Sequence, residues 1–244
     1  MGFGLSSGGL MIRASEEGVD FFSHPLIPFH IGGQEVYLMT TEVCTLIVSV
    51  AIVIFALIAR AKLKADAETP SGLQNFVEFL VESLDKVVDN SMGKFGKKYA
   101  NYIGTIMLFI FISNISGLFG LRPPTGDYAT TLSLALITFV LIQYAAIKTS
   151  KFETFTNLFK PIPLLFPINL IGEFATPLSL SLRLFGNIMA GTIMLALYYG
   201  LLPIFAKLGI PAFLHVYFDL FSGAIQTYVF SMLTMVFITD KLNA

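Results

Sequence analysis

The chain has 244 residues, 55% of them hydrophobic and only 13% charged, with a mean hydropathy of +0.76. That is more apolar surface than a soluble domain of this size buries, so a bilayer has to act as part of its solvent. The 15 basic and 16 acidic residues leave a formal net charge of -1, which excludes the global field that nucleic-acid binding needs.

The N-terminus, MGFGLSSGGLMIRASEEG, has no basic start followed by a continuous apolar stretch, so it does not read as a cleaved signal peptide and insertion is expected to use internal spans. Gly2 and Ser6 formally fit a myristoylation pattern, but one acyl chain adds little to a chain fixed by several spans, and the match reads as chance. Residues 1–38 are expected to be extramembrane.

Span one covers residues 39–60, where the apolar run comes close to the ~20 residues a helix needs to cross the hydrocarbon core. The lone Cys44 lies in it, without a disulfide partner or a CxxC pair, and reads as packing. A charged linker comes next, and then residues 70–98. Here Leu73, Phe76, Val77, Leu80, Val81, Leu84, Val87 and Val88 recur at helical spacing with Glu78, Glu82, Asp85 and Asp89 between them. This pattern predicts an amphipathic helix on the membrane surface; a short helix packed on a partner fits it equally well.

Residues 100–121 and 129–148 are two more span-length runs. Arg122-Pro123-Pro124-Thr125-Gly126-Asp127 separates them and demands a turn, giving a transmembrane hairpin. Two long apolar stretches complete the chain, residues 164–202 and 204–242, each well beyond a perpendicular span. Such helices must tilt strongly or bend, and no internal repeat relates them residue by residue. The fold class is therefore an all-α integral membrane protein with about five embedded helices and one surface helix, forming a single membrane domain.

Basic residues set the orientation. Arg60, Lys62, Lys64, Lys86, Lys94, Lys97 and Lys98 come after span one, and Lys148, Lys151 and Lys160 come after the third span, whereas the turn between has only Arg122. The Lys-rich loops are expected to face the cytoplasm, which leaves the N-terminus outside and the C-terminus cytoplasmic.

The last two helices carry polar residues where lipid-facing or packing residues would be expected. The first holds Asn169, Glu173, Arg183, Asn187 and Thr192. Arg183 is the most costly, at roughly 2.5 to above 10 kcal/mol near a bilayer centre, and it sits too far from either helix end to snorkel to the interface. Asn187, at i+4, shares its helix face, and Gly186, Ala190 and Gly191 keep that region low enough for close approach of another backbone. The second holds His215, Asp219 and Gln226 at i, i+4 and i+11, which regular helical periodicity keeps within one broad face. An unpaired intramembrane carboxyl such as Asp219 is a candidate for proton or cation transfer, and a structural Asp219–Arg183 ion pair is the alternative. With the helices antiparallel, an inner polar group forms around Asn169 and Glu173. An outer one forms around Asn187, Thr192, His215 and Asp219, with Asn114, Ser116 and Ser133 near enough to join it. His24, His30 and His215 are too scattered for zinc, so neither a metal nor any other cofactor is expected, and the chain lacks the GxxxxGK[ST] run of a nucleotide-binding loop.

The stretch PLSLSLRLFGNIMAG, residues 177–191, followed by AIQTYVFSMLTMVF from Ala224, resembles the a subunits of F-type ATP synthases. SHPLIPFHIGG, the Asn114 span, TLSLAL with Ser133, and PINLIGEFATP extend the likeness over nearly the whole chain. The resemblance implies a stator in the bacterial plasma membrane, clasped against a ring of c subunits beside the b-subunit peripheral stalk, with two offset half-channels that carry H+ or Na+. Arg183 matches the family's essential arginine, Asn187 and Gln226 its neighbours, and Asn114 and Ser133 positions lining the outer half-channel. Better-known members have glutamate where this chain has Thr192 and histidine where it has Asp219, so the titratable acid stands on the other helix. The family's inner acid often falls at Asn169, which leaves Glu173 as the candidate here. Two other functions remain open: a secondary transporter using Arg183 and Asp219, and a structural subunit whose charges merely pair.

Overall fold

The structure, a computed structural model, describes residues 14–15, 18–19, 25–31, 34–63, 72–150, 164, 166–201 and 210–243. Gly2, Ser6, His24, Lys64, Lys151 and Lys160, used in the sequence reading, lie outside the described residues.

Two antiparallel strand pairs come first. β1 (Ala14–Ser15) pairs with β2 (Gly18–Val19), and β3 (Pro25–Ile31) pairs with β4 (Gln34–Met39) from Ile31↔Gln34 onward. These strands were not foreseen from the sequence, although a Gly-Gly dipeptide between two β-prone runs is a hairpin signal.

The rest of the described chain is helical, comprising α1 (Thr40–Lys62), α2 (Gly72–Met92), α3 (Gly96–Ile115), α4 (Tyr128–Ser150), α5 (Phe166–Leu201), α6 (Ile210–His215) and α7 (Gly223–Asn243). Among the described residues five helical stretches are long and apolar enough to cross a membrane: Thr40–Ala61, Gly72–Phe119, Tyr128–Thr149, Phe166–Leu201 and Phe213–Asn243. The protein is an all-α integral membrane protein, with Leu46, Val50, Val53 and Leu57 of α1 bare for lipid. The expected break between surface helix and span at residues 98–100 falls earlier. A single 3-10 turn, Gly93–Phe95, with Gly93 at φ 52, is all that separates α2 from α3.

Local chemistry explains the ends. The Met39 N–H donates to Glu42 Oε2 at 3.1 Å, capping α1. α3 tightens into a 3-10 turn, Ser116–Phe119, and stops at Gly120, whose φ of 71 only glycine adopts without strain. Asp127 Oδ1 accepts the Ala129 N–H at 2.9 Å and starts α4.

Between α6 and α7 the backbone widens into a π-helix, Val216–Ser222. Residues 210–243 are therefore not one regular helix. A π turn adds a residue without advancing the chain, which rotates the residues before it by roughly 100° relative to the residues after it. His215 and Asp219 still meet across one turn, but Gln226, beyond the π segment, is turned by roughly 100° from the place that regular periodicity would give it on their face.

The chain packs as two compact units. The first comprises Met1–Val48, Ile110–Leu132 and Ser181–Thr227; the second comprises Ser49–Phe109, Ser133–Leu180 and Tyr228–Ala244. In the second, Val88 and Met92 of α2 meet Tyr99 and Ile103 of α3, Ile142 and Ala145 of α4, and Met235 and Ile238 of α7 in one buried core. The α2 face predicted to rest on lipid is thus partly spent inside the protein, while Phe76, Phe79, Leu80 and Val81 remain exposed.

Candidate functional site

The first unit holds Arg183, Asn187 and Thr192 on α5, Asn114 on α3, His215 at the end of α6, Asp219 in the π segment and Gln226 on α7. The second unit holds Ser133, Asn169 and Glu173. The candidates thus fall in both units.

Arg183 is exposed, and its guanidinium makes no ion pair or hydrogen bond among the described residues. Around it on the exposed surface of α5 lie Leu182, Gly186, Ala190, Ile193 and Leu197. A Cβ added at Gly186 would meet nothing within 4 Å. A cation bare on an apolar transmembrane helix is costly against lipid, so this face calls for water or a counter-charge.

Asp219 does not pair with Arg183. His215 Nδ1 lies 2.9 Å from its Oδ2, with the carboxylate 17% exposed and the imidazole 35%. His215 Nε2 lies 3.3 Å from the hydroxyl of Tyr199, making a continuous chain of three exchangeable groups. On its other side Asp219 packs against Gly117, where an added Cβ would stand 3.2 Å from its Cγ. Any larger residue there would press the carboxylate aside by a few tenths of an ångström.

Asn187 has one end engaged. Ser222 Oγ donates to its Oδ1 at 2.8 Å, while its Nδ2 is buried without a hydrogen-bond partner among the described residues. Gln226, 7% exposed, leaves its Nε2 in the same condition. Buried donors of this kind are rare, because each costs the desolvation of its N–H with nothing in return. Thr192 Oγ1 donates to the carbonyl of Ile188 at 2.9 Å, within its own helix.

Asn114 is fully buried and engaged at both ends. Thr125 Oγ1 donates to its Oδ1 at 2.7 Å, and its Nδ2 donates to the Gly223 carbonyl at 3.1 Å.

In the second unit Glu173 is saturated by neighbours. Gln143 Nε2 donates to its Oε2 at 2.8 Å, and Lys241 forms an ion pair with its Oε1. Pro177, inside α5, has no N–H to offer the Glu173 carbonyl four residues earlier. Asn169 and Ser133 each make further interactions.

Sequence reasoning missed Tyr199, Ser222, Thr125, Gln143 and Lys241. Tyr199 and Lys241 lie near helix ends, Thr125 in a turn, Ser222 at the end of the π segment and Gln143 within α4, and each partner lies far off in sequence except for His215 and Asn114. The described residues contain no cluster of three or more groups able to hold a metal ion.

Taken together, these features define a polytopic helical membrane protein with an uncompensated cation on one face and two separate carboxylate clusters. Residues 43–239 match the family described as ATP synthase A chain, and the chain belongs to that family. It is 44% identical over 191 residues to the "ATP synthase subunit a, sodium ion specific" of Propionigenium modestum, covering 71% of this chain and 65%, just under two thirds, of that relative. It is 40% identical over 214 residues to ATP synthase subunit a of Priestia megaterium, covering 82% and 91% of the two chains. With the subunit a of Geobacter sulfurreducens it shares 36% over 234 residues, covering 92% and 96%. The family makes it a membrane subunit of the ATP synthase with a part in ion transport, not an enzyme by itself.

Proposed function

We propose that this chain is the stator of the ATP synthase ion channel, coupling flow of H+ or Na+ to rotation of a ring of c subunits and thereby to ATP synthesis. The observation that carries this reading is the exposed, unpaired Arg183 on an apolar membrane helix. Its counter-charge is a carboxylate on a passing ring subunit.

Each ring carboxylate loses its ion on meeting Arg183, because a nearby positive charge in a poorly solvated site favours the ionised acid. The same charge repels a cation crossing directly, so ions travel only by riding the ring between two half-paths. Asn187 and Gln226 each keep one buried amide N–H group without a partner among the described residues, and these are the donors that would turn toward that carboxylate once it arrives. Asp219 is the outer relay, replenished through His215 and Tyr199, and Thr192 replaces an acid whose work Asp219 has taken over. Glu173, with Asn169, marks the inner path as a fixed charge held by Lys241 and Gln143 and not as a relay. Ser133 lies on the outer half-path. A membrane potential of 100 mV supplies ~2.3 kcal/mol per charge, so several ions are needed for each ATP. The subunit works in the bacterial plasma membrane with its N-terminus outside and its C-terminus cytoplasmic. It contacts the b-subunit stalk and needs no cofactor beyond the transported ion.

The deciding experiment is Arg183→Ala in membrane vesicles that contain the complete synthase. Ion-driven ATP synthesis is expected to disappear while the complex still assembles; retained coupled synthesis would sink the proposal.

A further inference from the structure

The π segment Val216–Ser222 needs a device to hold it, because a regular α-helix is the more stable course for the same residues. Three glycine contacts surround it. Gly117 faces Asp219, an added Cβ at Gly191 would lie 3.3 Å from Phe218 Cβ, and one at Gly223 would lie 2.9 Å from Asn114 Cβ. These contacts make room for a widened helix, but room alone does not select it.

Selection comes from the junction where the π-helix ends. The Gly223 carbonyl accepts two side-chain donors, Asn114 Nδ2 at 3.1 Å and Thr227 Oγ1 at 2.8 Å. Thr125, in the turn Pro124–Gly126, is fully buried and donates to Asn114 Oδ1, so the Asn114 amide has only its Nδ2 to turn toward Gly223. Thr125, Asn114 and Gly223 thus form one buried hydrogen-bonded line that ends where the helix changes pitch. Three residues beyond Asn114, the same helix end presents Gly117 to the Asp219 carboxylate. A slip of the junction by one residue would swing Asp219 by roughly 100° and separate it from Gly117.

We propose that Asn114 is a positioning residue: oriented by Thr125, it pins the π-to-α junction at Gly223 and so sets the register that holds Asp219 against Gly117. This rests on the reading of Asp219 as the outer relay. Asn114 then acts on ion flow through Asp219 and not as a ligand of the ion.

The register can be read without reference to activity. In a Cys44→Ser background, Gly191→Cys with Phe218→Cys brings two Cβ atoms to 3.3 Å, a small outward shift from disulfide spacing, and mild oxidation of vesicles containing the complete synthase should close the bridge. Adding Asn114→Ala, or the gentler Thr125→Val should Asn114→Ala fail to assemble, is expected to lower the bridged fraction about fivefold. An unchanged yield would overturn the latch.

In the parent chain, Asn114→Ala and Thr125→Val are also expected to alter the shape of the pH profile of ion-driven ATP synthesis. Among the described residues the titratable group facing Asp219 is His215, itself held by Tyr199 of α5, while the end of α3 offers Gly117 backbone. A rate lowered by the same factor at every pH, or one that does not change while bridging falls, would overturn the link to Asp219. Retained synthesis in Arg183→Ala would overturn the stator function and leave the bridging result standing.

Discussion

The two compact units treat an intramembrane carboxylate in opposite ways. In the second, Glu173 is met by a permanent cation, Lys241, and a fixed amide, Gln143, beside a core of regular helices filled by Tyr99, Ile103, Met235 and Ile238. In the first, Asp219 is met by a histidine that can gain or lose charge, on a segment of non-α backbone, with buried donors left over at Asn187 and Gln226. A saturated acid stabilises a fold, and an acid held by an exchangeable partner can hand its proton on. Function and stability are thus expected to separate between the units.

Substitutions can break that separation. Loss of Arg183 comes first, with coupling abolished. Asp219→Asn is next: it keeps the shape and a partner for His215 but cannot carry a proton, and it should reduce ion-driven ATP synthesis in vesicles at least ~10-fold with normal assembly. If assembly fails and the rate per assembled complex holds, Asp219 belongs with the structural acids. Glu173→Gln should show the reverse balance. It leaves Lys241 without its counter-charge at a site about one-quarter exposed, costing about 1–3 kcal/mol, to be measured as earlier heat-induced aggregation of the purified complex. A loss of coupling as severe as that of Asp219→Asn, at unchanged stability, would place Glu173 among the working groups and sharpen the inner path. The smallest effect is expected at Glu82, whose pairing with Lys86 at 3.9 Å is open to solvent on both sides; Glu82→Gln should shift stability by less than ~0.5 kcal/mol in the same assay.

The units also differ in how far the sequence foretold them. Spans can be read from apolar length alone, because the bilayer imposes it, and Arg183, Asp219 and Glu173 stand out because a charge in such a run is expensive. The partner of Glu173 could not be read, since Lys241 is 68 positions away and looks like a helix-end lysine. The π segment left no trace either: one inserted residue changes neither composition nor hydropathy, yet it breaks the periodicity used to align Gln226 with His215 and Asp219. Thr125 and Ser222 were invisible for a related reason. Small hydroxyl residues are common in membrane helices and turns, and only their geometry separates a latch from a filler.

Gly117, Gly191 and Gly223 carry a consequence for variation. Every single-nucleotide change at a glycine codon that alters the amino acid adds a Cβ, and at these three positions that atom would stand 2.9 to 3.3 Å from Asn114, Asp219 or Phe218. Mutational tolerance around the outer acid is then limited by space as much as by charge. For a carboxylate to migrate between neighbouring helices over evolution, the hollow that receives it has to move as well.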